Sequence, residues 1–127
     1  DGDVAAAIDA VRPSTSVDLL MGIGGTPEGV ITAAAMICLG GVIQGVLRPK
    51  DRSEKESAIA AGYQLDKIYL TKDLVNSDDV FMAATGITDG ELLKGIRYSE
   101  YGAISQSLVM RGQSHTVRFV ETEHHLK

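Results

Sequence analysis

A single cysteine, Cys38, is all that this 127-residue sequence holds. No internal disulfide can form, so a reducing compartment is expected. Basic residues are in deficit too: 12 lysines and arginines stand against 17 aspartates and glutamates, a formal net charge of -5. That balance argues against a nucleic-acid or anionic-membrane partner. No apolar run is long enough to span a bilayer and no signal peptide is visible, which gives a cytoplasmic expectation. Tandem repeats and low-complexity segments are absent. The histidines His115, His124 and His125 match no strong zinc spacing, and two of them lie in a polar tail. Neither a P-loop nor a complete dinucleotide fingerprint occurs.

What is present is the composition of an ordinary globular domain, 44% hydrophobic and 23% charged. The length sets one domain, which at this size buries roughly two thirds of its unfolded surface. The chain opens on Asp1-Gly2-Asp3 without an initiator methionine and is expected to be a fragment or excised domain.

One stretch organises the rest: Gly22-Ile23-Gly24-Gly25-Thr26-Pro27-Glu28-Gly29. The apolar run before it, residues 17–23, reads as a buried strand. The run after it, residues 27–39, reads as a helix with Thr26 as N-cap and Pro27 in the first helical position. Glu28 then lies in the first turn, beside free backbone N–H groups and the positive end of the helix dipole. Such a place suits a phosphate, or a metal ion that holds one. The helix is apolar almost all round, Cys38 included, so it is expected to be covered on both sides inside a layered sandwich. Cys38 is read there as a buried spectator, not a nucleophile.

Elsewhere, Val4, Ile8 and Val11 recur at helical period behind Asp3. Asp1 and Asp3 either bracket a polar ligand or, for Asp3, simply cap that helix. Gly40-Gly41 is expected to end the long helix with a left-handed residue. Residues 42–47 read as the next strand, and Ser53 with Glu56 as a capping box for a helix through Ala61. Residues 67–70 and 80–84 read as strands, the second covered on both faces. Asp89, in the polar loop Thr85 to Gly90, is either an Asp-Gly turn residue or part of a ligand loop. The last third, with strands over 95–98, 103–111 and 115–121, reads as an antiparallel meander with one wet face. The whole is α/β: a layered sandwich with a mixed sheet and a C-terminal antiparallel meander.

The carboxylates Glu28, Asp1 and Asp3 with exposed amides suit hard cations such as magnesium or manganese, together with phosphate or sugar hydroxyls. Phosphomonoester hydrolysis uses those parts, but this stretch groups fewer carboxylates than two-metal chemistry normally takes. A phosphate- or nucleotide-binding regulatory module, or a purely structural domain, would use the same glycines.

Five blocks, Asp1-Gly2-Asp3-Val4-Ala5, Gly24-Gly25-Thr26-Pro27-Glu28-Gly29, Gly40-Gly41 with Gln44-Gly45, Ala84 to Gly90 and Ser107 to Arg111, together resemble class II fructose-1,6-bisphosphatase. Some cyanobacterial members also hydrolyse sedoheptulose-1,7-bisphosphate. The resemblance implies a metal-dependent enzyme of the lithium-sensitive sugar-phosphatase superfamily. It would remove the 1-phosphate of fructose-1,6-bisphosphate in gluconeogenesis, using Mn2+ or Mg2+, as a homo-oligomer. It implies Glu28 as a metal ligand and Asp1, Gly2, Asp3 and Gly25 as substrate contacts. No catalytic residue is assigned, and Asp89 takes no role from the resemblance. The family's chain is more than twice as long, so this sequence corresponds to its C-terminal portion, expected to be inactive alone.

Overall fold

Strand β5 (Gly102–Arg111) is the axis on which the chain assembles. The computed structural model describes residues 3–126, and the side chain of Asp3 lies outside that description. β6 (Thr116–His125) pairs with β5 along its whole length, from Gly102↔His125 to Arg111↔Thr116. That fills one edge. β3 (Phe81–Thr85) and β4 (Arg97–Ser99) therefore share the other, β3 against residues 107–111 and β4 against residues 102–104. The β4–β5–β6 run is the antiparallel meander expected from the alternation in the last third of the sequence.

Register decides which side chains face the core, because a strand alternates faces at every residue. Met82, Met110 and Val117 align in one row across three strands, and Ala84, Leu108 and Phe119 in the next. Two helices cover this face, α1 (Asp3–Val11) and α2 (Thr26–Leu39). Their small residues let them settle close: Ala33, Ala35 and Cys38 are fully buried, and Ile8 and Met36 nearly so. The guanidinium of Arg12, just past α1, lies 5.1 Å from the ring centroid of Phe119 and closes one end of the layer. Helix α2 ends at Gly40, whose φ of 75° is the left-handed cap expected there.

The remaining elements are short: β1 (Gln44–Gly45), α3 (Arg52–Ala60), β2 (Tyr69–Leu70) and α4 (Thr71–Leu74). Among the described residues no helix is long and apolar enough to cross a membrane.

Several expectations are corrected. The sheet is not mixed: every described strand pair is antiparallel. No strand forms over residues 17–23, because no described strand offers those residues a ladder, and Ile23 is 94% exposed. The strands foreseen over 42–47 and 67–70 shrink to the two-residue ladder β1–β2. β3 is covered on one face only, its residues alternating between exposed and half-buried. Helix α2 is covered all round, as expected, only over residues 32–39, where no residue is exposed; its first turns leave Val30 and Ile31 in solvent. α3 is capped by Asp51, which accepts from the Glu54 N–H at 2.8 Å, in place of the Ser53–Glu56 box.

Leu108 is fully buried between the helices and the sheet, so Leu108→Ala is expected to cost roughly 2–5 kcal/mol. Urea unfolding checks this, with a lower midpoint and an unchanged slope as the expected result. Burial also pushes the Cys38 thiol above its ordinary value of 9.0. The folded state therefore holds that proton longer than the unfolded chain does. Stability contributed by the neutral thiol is complete below that pH and falls as pH rises towards the raised folded value. Cys38→Ala is expected to flatten this part of the alkaline loss in a pH series of thermal melts.

Candidate functional site

The turn leading into α2 is built by two residues that lack something. Gly25 is the N-cap, with φ -71° and ψ 156°, and no side chain caps the helix. Thr26, foreseen as the cap, is instead the first helical residue. Pro27 has no N–H, and the first helical bond runs from the Gly29 N–H to the Gly25 carbonyl at 3.1 Å. The N–H groups of Thr26 and Glu28 are thus the donors left over at the positive end of the helix.

Glu28 folds back over this turn. A methyl group at Gly25 would overlap the Glu28 carboxylate oxygen, so the missing side chain of Gly25 is the space that the carboxylate fills. Glu28 is exposed and has no cationic partner among the described residues. As a donor it fits a hard cation, being an acceptor-only oxygen pair. A complete coordination shell is another matter: among the described residues no three histidine, cysteine, aspartate or glutamate side chains converge. Asp1, Gly2 and the side chain of Asp3, the other foreseen contacts, lie outside the described residues.

The histidines are engaged separately. His115 sits in the β5–β6 turn with φ 52° and its Nδ1 3.3 Å from the Cys38 carbonyl. His124 Nε2 lies 2.8 Å from the Ser105 hydroxyl, across the β5–β6 ladder. A depression of about 570 Å³ lies at the start of α3, lined in part by Arg48, Lys50, Arg52 and Lys55, and does not include Glu28. Its charges lie in solvent, and Arg52 pairs with Glu56 at 3.6 Å.

Asp89 gains a role that sequence alone left open. Its Oδ1 accepts the Gly95 N–H at 2.8 Å, closing the loop between β3 and β4. The Ile96 N–H to the Ile87 carbonyl (3.1 Å) and the Gly90 N–H to the Leu93 carbonyl (3.0 Å) complete the brace. A side chain at Gly95 would come within 2.7 Å of the Thr88 carbonyl carbon, so the loop can close only over glycine. The partner is six residues away, beyond the reach of the local turn pattern that flagged Asp89. Asp89→Ala is expected to cost about 1 kcal/mol, the usual net worth of one such bond. Asp89→Asn, which keeps the acceptor oxygen, is expected to cost clearly less; paired thermal melts compare the two.

Comparison with known proteins gives the same family across the whole arrangement. The family model described as bacterial fructose-1,6-bisphosphatase, glpX-encoded, matches residues 1–124. A protein of Synechococcus elongatus, named D-fructose 1,6-bisphosphatase class 2/sedoheptulose 1,7-bisphosphatase, is 44% identical over 137 aligned positions. Proteins of the same name from Synechococcus strains JA-2-3B'a(2-13) and JA-3-3Ab are 41% and 40% identical. Each alignment takes in 98% of this chain but only 40% of the relative's length. The chain belongs to the family of bacterial fructose-1,6-bisphosphatases encoded by glpX.

Proposed function

We propose that this chain is the C-terminal part of a class II fructose-1,6-bisphosphatase that hydrolyses the 1-phosphate of fructose-1,6-bisphosphate to give fructose-6-phosphate. The observation that carries the reading is the α2 turn, where an exposed carboxylate lies beside unclaimed N–H groups in a chain of this family. The names of the relatives support the reaction. The regulatory-module alternative is not favoured, since nothing in those names points to it.

In this reading Glu28 is one ligand of a Mn2+ or Mg2+ ion, and Asp1, Gly2, Asp3 and Gly25 contact the sugar phosphate. When bound, such a cation neutralises phosphate oxygens and makes a metal-bound water more acidic. This chain's own residues do three things. Glu28 supplies negative charge that holds a cation and repels an unaccompanied anion. The N–H groups of Thr26 and Glu28 are free to donate to an oxyanion at the helix start. Gly25, lacking a side chain, lets a ligand approach the backbone closely.

The finer assignments belong to the same proposal: a layered sandwich of the sugar-phosphatase superfamily, a cytoplasmic place in gluconeogenesis, and a homo-oligomer. Among the described residues no three ligand-type side chains converge, and the isolated chain is expected to turn over poorly. The test uses a complete polypeptide in which this chain replaces the matched segment of the Synechococcus elongatus relative. Glu28→Gln there is expected to lower kcat/KM by more than roughly 100-fold, beyond what losing an outer support of a metal site costs. It is also expected to weaken Mn2+ binding. Near-normal turnover would count against Glu28 as a ligand.

A further inference from the structure

Residues 17–24 are bare in two respects at once. None of their N–H or carbonyl groups takes part in a hydrogen bond among the described residues. Their apolar side chains face water: Leu19 is 73% exposed, Met21 83% and Ile23 94%. Val17, Leu19, Met21 and Ile23 alternate at period two, the pattern of one face of a strand. Folded proteins do not leave a β-prone, apolar, unpaired segment open, because it recruits other strands. Val30 and Ile31, on the first turns of α2, extend the same uncovered apolar surface along the chain.

We infer that residues 17–23 form a docking strand, and that its partner is a strand from the part of the family's polypeptide that this chain does not contain. The inference rests on the reading of the chain as part of a longer phosphatase. Two observations select that partner. The relatives are two and a half times as long as the segment matched here, so a large body of polypeptide has to meet this chain somewhere. Ile23 also lies only five positions before Glu28, which belongs to no group of three ligand-type side chains among the described residues. A strand added at residues 17–23 is the most direct route by which outside residues reach that turn. Main-chain pairing would supply the affinity, and pockets for Leu19, Met21 and Ile23 the register. Pairing would also fix the Gly24–Gly25 turn from its N-terminal side.

Amide hydrogen exchange tests this on the 127-residue chain and on the chimera with the Synechococcus elongatus relative. In the 127-residue chain, the amides of residues 17–24 are expected to exchange at nearly free rates, independent of protein concentration. In the chimera they are expected to slow at least tenfold. Met21→Asp is expected to leave the thermal midpoint of the 127-residue chain unchanged and to abolish the added protection in the chimera. Unprotected amides in the chimera, failure of the chimera to fold, or indifference to Met21→Asp would each overturn the inference. Protection that rises with concentration in the 127-residue chain would assign the strand to a second copy instead, which also overturns it. Phosphate release from fructose-1,6-bisphosphate by the chimera is read separately. Protection without release would leave the docking strand standing and remove the catalytic reading; release without protection would do the reverse.

Discussion

Packing of α2 on the middle of β5 is the contact on which the rest depends. Ala35 and Cys38 give the helix a small-residue face, and Leu108 and Met110 of β5 fill the space against it, all at or near zero exposure. Close packing of this kind tolerates little change in volume. It fixes the axis of α2, and with it the place where the first turn of the helix emerges. The site follows from that: a buried C-terminal half holds an exposed N-terminal turn that carries Gly25 and Glu28. The rigid part of the chain carries no chemistry, and the chemically useful part is held by it from one side.

The electrostatics of the turn explain why one side is insufficient. A free helix N-terminus attracts anions, while a carboxylate in its first turn repels them. A cation held between Glu28 and phosphate, as proposed, would reconcile the two. A hard divalent ion wants about six oxygens, and one carboxylate is a small share of that. Within the described residues the remainder does not exist. The bare residues 17–24 and the first turns of α2 are apolar surface left uncovered beside the same turn.

Sequence pattern made the self-sufficient elements legible. α1 carries helical periodicity, α2 ends on a glycine stop, and the β4–β5–β6 meander carries alternation and turn glycines; each finds its partners within the chain. The readings that failed share one cause. The apolar runs over 17–23, 42–47 and 80–84 read as strands, the first buried and the last covered on both faces, but hydrophobicity reports a wish for burial, not the presence of a partner. Residues 17–23 have no ladder, residues 42–47 keep only Gln44 and Gly45 in one, and β3 lies bare on one face. In the site, Glu28 stood where its first-turn position placed it. The brace from Asp89 to Gly95 was hidden, because a side chain accepting from an amide in a different part of a loop leaves no local pattern.

The claim that joins fold to function is that this chain holds one part of a divided site. It is tested most directly by supplying the purified 127-residue chain with Mn2+ and fructose-1,6-bisphosphate and measuring inorganic phosphate. The account predicts release indistinguishable from the protein-free control. Robust, Mn2+-dependent turnover by this chain alone would contradict it.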